Sequence, residues 1–516
     1  MGSEPEESSS VKTLAMGAFF VLAGLIASKL LWYLYRVIIA RYLGPEEYGL
    51  FSLGFSIFMT AMLFSKVGIP TGVTRFISKY IGKDSESKIR GTIFSALEIT
   101  LPLSLLVAVS LFYSAPFIAD LIGEPELTPV IYIFAVAIPF RTFLKDILET
   151  FRAFKRMDYF AGIENILQPF MMLMLTIILI YNGYGVLGVT VAYTLSVVSA
   201  GILGFYILQS KLLPVLGGYK KTQNRRELFI YSFPLFIVGI GHTLSMNIDN
   251  FMLGWFPNVA TSDIGVYNSA LPTAYLVSSV STVFAFILFP LISTHLAKGE
   301  DIMVSKLISI AVRWTLVLAL PLALLLVLFS EPILATLFGT VYADGNTVLS
   351  IVALGILLKS VITPIEKYLL ARDKTNWMMF NSLATVATNI GLNYIFIPIY
   401  GILGAGIAIA LSLVVLSALI LIEAILLLKI SLSLSSIWKP VFSAILSLLS
   451  IYIIRYLEIT APAVAEAGLF LIIYTNVFVA VKGFNSEDLI IIEIAEKHLD
   501  MDLTILKNLV ENMSAN

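Results

Sequence analysis

The residues best equipped for chemistry in this sequence are cations set inside long apolar runs. Lys29 and Arg36 are seven residues apart, which places them on one face of a helix, and Trp32 and Tyr33 lie between them. Arg141, Lys145 and Glu149 follow one another at intervals of four, and Lys359 and Arg313 occupy later apolar runs. A guanidinium presents a planar fork to phosphate oxygens, an ammonium acts on them as a point charge, and flat rings beside either can stack on sugar faces. These eight residues (Lys29, Trp32, Tyr33, Arg36, Arg141, Lys145, Lys359 and Arg313) therefore form a candidate site for a phosphate-bearing head group. Plainer readings stand beside this one: Lys145 pairs with Glu149, Arg36 snorkels to an interface, and Arg313 lies close enough to water to be solvated.

Carboxylates form the second set. Asp249 shares a run with His242, Asn247 and Asn250, and Glu98, Asp146, Glu149 and Glu164 lie in or beside other runs. A carboxylate at membrane depth is a candidate site for a coupling sodium ion or proton, although Asp249 also suits a solvated or capping role near a helix end. Asn376, Asn381, Asn389 and Asn393 can hydrogen-bond sugar hydroxyls or join helices to one another. The sequence has no cysteine, and His242, His295 and His498 are far apart, which excludes disulfides and thiolate sites and argues against zinc. No phosphate-binding glycine-rich loop of the ATPase type occurs, no cofactor is implied, and a net charge of −1 gives nucleic acid nothing to bind.

The elements that must position these residues follow from composition. Of 516 residues, 58% are hydrophobic and 13% charged, against roughly 25% charged in a soluble domain, so the chain belongs in a bilayer. Apolar stretches of about 20 residues, the length a spanning helix needs, cover 14–40, 48–69, 90–114, 128–151, 158–181, 186–210, 228–253, 264–292, 304–329, 346–370, 376–398, 402–428, 437–457 and 464–482. The predicted fold is an all-α polytopic membrane protein with about fourteen spans. Lysine and arginine concentrate in alternate connections, such as Arg75 to Arg90, Arg152 to Arg156 and Lys211 to Arg226, which places both termini on the cytoplasmic side of the cell membrane. Arg75, Lys79 and Lys83 recur every four residues beside Phe76 and Tyr80, a pattern for an interfacial helix that gathers lipid head groups; the positive-inside rule accounts for them equally well.

The chain also repeats itself. Tyr184-Gly185-Val186-Leu187-Gly188 recurs as Tyr400-Gly401-Ile402-Leu403-Gly404, and Gly49-Leu50-Phe51-Ser52 recurs as Gly265-Val266-Tyr267-Asn268, both shifted by 216. Two copies of a six-helix unit in the same orientation give a parallel repeat about an axis along the membrane normal, with a site between the copies. In this repeat Arg141 and Lys359 fall at similar depths on equivalent helices. The expected organisation is a disordered cytoplasmic tail (1–13), an N-lobe (14–210), an inter-lobe linker (211–227), a C-lobe (228–428), two further spans (429–482) and an acidic amphipathic helical tail (483–516).

The segments RYLGPEEYGLFSL from Arg41, GIPTGVTRFISKY from Gly68, SDIGVYNSA from Ser262, FPLISTHLAKGE from Phe289 and NYIFIPIYGILGAGIA from Asn393 together resemble the polysaccharide transporter branch of the multidrug/oligosaccharidyl-lipid/polysaccharide exporter superfamily. The resemblance covers nearly the whole chain. It implies a flippase for lipid-linked oligosaccharide, with two six-helix lobes around a cavity and two extra C-terminal helices, no enzymatic activity, and membrane lipids and glycan-assembly enzymes as partners. Multidrug exporters and peptidoglycan-precursor flippases are the alternatives within the same superfamily. Buried cations argue against the former, and Leu43-Gly44-Pro45-Glu46-Glu47-Tyr48-Gly49 resembles the polysaccharide branch more than the latter.

Overall fold

Hydrocarbon offers the backbone no hydrogen-bond partner, so apolar spans of this length must close their own hydrogen bonds as helices. The computed structural model describes residues 4–213, 224–372, 374–428, 437–458, 461–484 and 488, and among these there is no strand. The N-lobe holds α1 (Glu4–Lys66), α2 (Ile69–Ile81), α3 (Glu86–Ile122), α4 (Leu127–Ala153), α5 (Met157–Ala161), α6 (Gln168–Tyr181) and α7 (Gly185–Ile207). A π-helical turn, Gly162–Leu167, joins α5 to α6. The C-lobe holds α8 (Arg225–Trp255), α9 (Thr261–Ala274), α10 (Val277–Ala297), α11 (Asp301–Leu328), α12 (Ser330–Leu337), α13 (Asn346–Ala371), α14 (Thr375–Tyr400) and α15 (Ile402–Leu428). Finally, α16 (Trp438–Tyr456) and α17 (Ala463–Ala480) pair with each other and lean on α11.

Eleven helices among the described residues are long and apolar enough to cross a membrane, and a bent pair within α8 makes a twelfth. That number is below the fourteen expected because breaks and boundaries divide differently. The expected spans 14–40 and 48–69 are joined in α1, which breaks only at Gly44 (φ 76°, ψ 173°). That conformation favours glycine, and Pro45 then starts the second half with its φ already suited to a first helical turn. The expected span 264–292 is divided between α9 and α10 just after Pro272. Helix α1 also begins at Glu4, inside the segment expected as a tail. Lys220 and Lys221 of the linker, Lys429, His498 and nearly all of the C-terminal tail lie outside the described residues.

The lobes meet where α1 crosses α9, and the duplication explains how. A Cβ on Gly49 would collide with the backbone carbonyl oxygen of Thr261, and a Cβ on Gly265 would collide with that of Pro45. Both glycines and both carbonyl-bearing residues are related by the same 216-residue shift. The contact is therefore reciprocal, as a two-fold axis between two copies requires. Lateral buttressing comes from Tyr48, whose hydroxyl donates to the carbonyl oxygen of Asn268 at 3.1 Å, and from Tyr342, whose hydroxyl donates to that of Ala40 at 2.6 Å. At the other end of the molecule α2 packs on α8, with the Arg75 guanidinium 4.0 Å above the Tyr231 ring.

Candidate functional site

Between the lobes lies a cavity of about 690 Å³, walled by both halves of α1 on one side and by α8, α9 and the start of α10 on the other. The α1 wall carries Lys29, Trp32, Tyr33, Arg36 and Lys66. The opposing wall carries Asn247, Asn250 and Asn268, with Ser52 and Ser56 of α1 nearby. Asn268 Nδ2 donates to Asn250 Oδ1 at 2.7 Å and Asn250 Nδ2 to Ser56 Oγ at 2.9 Å, which ties the amides across the lobe interface. Tyr33 reaches across as well, its hydroxyl 3.0 Å from Thr273 Oγ1. Among the described residues, no carboxylate lines the cavity and none forms an ion pair with Lys29, Arg36 or Lys66.

The three cations are staggered in depth. At 1.5 Å of rise per residue, Arg36 lies roughly 12 Å, Lys29 roughly 22 Å and Lys66 roughly 33 Å along α1 from its break at Gly44. The break folds two helical segments onto one cavity, so among the described residues a single element supplies the positive charge there. The duplication has not copied them: at a shift of 216 their counterparts are Ser245, Met252 and Thr282. Among the described lining residues, positive charge is therefore confined to one lobe. Lys66 is absent from the eight candidates of the sequence reading because it ends an apolar run, where a lysine reads as a boundary marker.

The remaining cations stand elsewhere, and each has a partner that spacing could not reveal. Arg141 is held by Glu164, with its two terminal nitrogens 3.0 and 3.2 Å from the carboxylate oxygens, and it donates to Gln168 Oε1 at 2.9 Å. Lys145 lies 3.7 Å from Glu164 and 4.0 Å from Glu149. The π-turn inserts an extra residue per turn and so aims Glu164 at α4. Lys359 pairs with Glu366 on its own helix, and Arg313 is buried against Asp488, which also accepts from the Trp314 indole nitrogen at 2.8 Å. Thus Arg141, Lys145, Lys359 and Arg313 do not line the cavity. The expected symmetric pair, Arg141 and Lys359, is neutralised by a carboxylate on each side, and Arg313 is buried instead of solvated. Lys66 links the two regions, because it borders the cavity while lying in the field of Arg141, Lys145, Glu164 and Asp146.

The carboxylates divide in the same way. Glu98 forms an ion pair with Arg225 at 2.6 Å, at the α3–α8 junction, and Glu149 pairs with Arg152 at 3.0 Å while accepting from Thr74 Oγ1 at 2.8 Å. Asp146 is buried and accepts from Thr100 Oγ1 at 2.7 Å. Asp249, also buried, has neutral partners: Asn393 Nδ2 donates to it at 2.7 Å and the Tyr267 hydroxyl at 3.0 Å, while Asn389 Oδ1 accepts from Asn393 Nδ2 at 3.0 Å. The His242 side chain lies outside the described part of the structure. Arg75, Lys79 and Lys83 lie on the exposed edge of α2 or just past it, while Phe76 and Tyr80 are buried behind them.

The LGPEEYG stretch also acquires a physical account. Gly44 makes the break and Glu47 accepts a hydrogen bond from the Val186 backbone nitrogen at 2.8 Å, capping α7. Tyr48 and Gly49 then form the lobe contact described above.

Two helical lobes with a broken first helix and a cation-bearing cavity between them define a multi-pass membrane transporter of the multidrug/oligosaccharidyl-lipid/polysaccharide exporter superfamily. The sequence model of the family "Polysaccharide biosynthesis protein" matches residues 14–296, more than half of the chain, and a model named MatE matches residues 234–395. The chain belongs to the polysaccharide biosynthesis protein family. It is 24% identical over 446 residues to Stage V sporulation protein B of Bacillus subtilis, covering 79% of this chain and 83% of that protein. It is 29% identical over 193 residues to the probable low-salt glycan biosynthesis flippase Agl15 of Haloferax volcanii, covering 37% of this chain and 40% of that one. Among solved structures, the lipid II flippase MurJ in an inward closed conformation superposes with a TM-score of 0.73 at 16% identity, over 91% of this chain and 100% of that one, which shows the shared fold.

Proposed function

We propose that this protein is a flippase that carries a polyprenyl phosphate- or pyrophosphate-linked oligosaccharide from the cytoplasmic to the outer leaflet of the cell membrane. The observation that carries the reading is the cavity's charge: Lys29, Arg36 and Lys66 face it, and among the described residues no carboxylate is in its wall. Cations that line a cavity without a carboxylate in ion-pair contact favour an anionic ligand. Trp32 and Tyr33 offer stacking faces, and Asn247, Asn250 and Asn268 offer amides to sugar hydroxyls. The cavity's volume falls in the usual range for small ligands, about 300–1,000 Å³, so it suits a phosphate with its first sugars while the lipid tail stays in the bilayer.

The basic connections, including Arg75, Lys79 and Lys83, support a cytoplasmic α2 end. Lys66 is then the first cation the head group meets, Lys29 the second and Arg36 the last, and the lobes rock about the α1–α9 contact to pass it outward. An inside-negative potential favours this direction by roughly 2.3 kcal/mol per negative charge per 100 mV. Asp249, buried among neutral donors, is the proposed site of a coupling sodium ion or proton. A multidrug exporter is the weaker reading, since cationic drugs would meet a positive wall.

The test is reconstitution in vesicles with a fluorescent lipid-linked oligosaccharide. Lys29→Ala, Arg36→Ala and Lys66→Ala should each slow translocation at least about ten-fold, the scale expected for losing one charge-assisted hydrogen bond. Translocation at the parental rate in all three would refute the assignment. Lipid II supplied in parallel separates the peptidoglycan-precursor alternative.

A further inference from the structure

Among the described residues, buried carboxylates have a cation paired with them or in whose field they lie, with two exceptions. Glu149 is paired with Arg152, Glu466 with Arg455, Asp488 with Arg313, and Asp146 lies in the field of Lys66. Among the described residues, Asp249 and Glu423 are buried with no cation beside them. Both touch the same helix, α14. Asn393 Nδ2 donates to Asp249 and Asn381 Nδ2 donates to Glu423 Oε2 at 2.9 Å. The side-chain oxygens of both asparagines, which are 2% and 0% exposed, have no partner.

The spacing between these two places has a geometric consequence. Asn381, Thr385, Asn389 and Asn393 recur every four residues, and Thr385 Oγ1 bonds back to the Asn381 carbonyl oxygen at 2.7 Å. Four residues advance a helix by roughly 6 Å and overshoot a full turn by roughly 40°. Over the series the polar edge climbs roughly 18 Å and winds roughly 120° around α14. It therefore leaves α15, which bears Glu423, and arrives at α8, which bears Asp249, and α14 packs on both. Structural asparagine bridging would leave the two ends unrelated; here each end holds an uncompensated carboxylate and an unused amide oxygen. A buried carboxylate with one neutral donor is costly unless a proton or metal cation neutralises it.

We propose that Glu423 and Asn381 form a second site for a small monovalent cation, connected to Asp249 by the polar edge of α14. The cation binds through the Glu423 carboxylate and the Asn381 amide oxygen at the α2 end of the C-lobe and exchanges along that edge with the site at Asp249. Together they give the C-lobe an ion route separate from the cargo cavity. The inference rests on the reading of the chain as an ion-coupled carrier with a cation at Asp249, but not on the identity of the cargo.

The experiment uses full-length protein in proteoliposomes with an inside-negative potential. Radioactive sodium uptake and pyranine-reported proton uptake are measured in parallel, together with thermal stabilisation by sodium chloride against choline chloride in detergent. Glu423→Gln should cut uptake of the transported cation about ten-fold, within the usual range of coupling between sites, while the stabilisation that depends on Asp249 persists. Asp249→Asn should abolish uptake and stabilisation together, and Glu423→Asp should restore most uptake. A fall confined to proton flux supports the route with the proton as its cation, and a fall confined to sodium supports it with sodium. Uptake by Glu423→Gln equal to the parent, or no flux of either cation in the parent, overturns the proposal. Should Glu423→Gln fail to run as a single species on gel filtration, Asn381→Ala keeps the carboxylate and must still reduce uptake; parental uptake there also overturns it. Loss of cargo translocation in the Lys29, Arg36 and Lys66 variants with cation flux intact would leave this route standing, so the two readings fail separately.

Discussion

Adding a methyl group at Gly49 or Gly265 tests whether the reciprocal α1–α9 contact closes one end of the transporter. At each position the new Cβ would meet a backbone carbonyl oxygen, that of Thr261 or of Pro45, so no rotamer change can relieve the clash and the helices must part. Overpacking of this kind costs about 1–3 kcal/mol, which corresponds to roughly a five- to 150-fold shift away from the state in which the contact is made. Because the native chain has no cysteine, Glu46→Cys and Asn258→Cys give two exposed positions for spin labels near this end, on α1 and on the α8–α9 connection. Double electron–electron resonance should show a longer-distance population growing in Gly49→Ala and in Gly265→Ala to similar extents. The double variant should shift the population by less than the two effects summed, because either methyl group alone already separates the same pair of helices. Unchanged distance distributions in both single variants would refute the contact as a closing element, and a large effect in only one would refute its two-fold character.

Two further perturbations read the network behind the site. Glu164→Gln leaves Arg141 and Lys145 without their shared carboxylate, and breaking a buried pair from one side costs about 3–5 kcal/mol; the melting temperature should fall, and Arg141→Met combined with Glu164→Met should recover most of it. No loss in Glu164→Gln would show that Gln168 alone holds Arg141. Glu47→Ala removes the cap on α7 and should cost about 0.5–2 kcal/mol, seen as faster amide exchange at Val186 and the turn that follows, with no change at α15.

Much of the architecture was legible because two features survive in one dimension. Apolar length reports the bilayer, and the 216-residue shift reports duplication even where individual matches are weak. The Gly49–Gly265 correspondence identified as a repeat is also the place where the lobes touch. Lys29, Trp32, Tyr33 and Arg36 were recoverable because helical spacing alone puts them on one face, and that face is the cavity wall. Partnerships between distant residues were not recoverable in the same way. Glu164 and Arg141 are 23 residues apart and meet only because a π-turn redirects one of them, and Asp488 reaches Arg313 from 175 residues away. Lys66 and Glu423 were passed over because each lies near the end of an apolar run, where a charge marks a boundary until the neighbouring helices are in place.

By itself the sequence determined that this chain spans a bilayer as two like-oriented helical halves and that its first helix bears a cationic, aromatic face. Those properties depend on local spacing and on hydropathy summed over windows, both of which a linear reading contains. Only the tertiary structure decided which charges are spent on one another and which remain available. Arg141, Lys145, Lys359 and Arg313 find carboxylates, whereas Lys29, Arg36 and Lys66 face open space. The physical reason is that Coulomb interaction falls with distance through space, and folding sets that distance independently of separation along the chain.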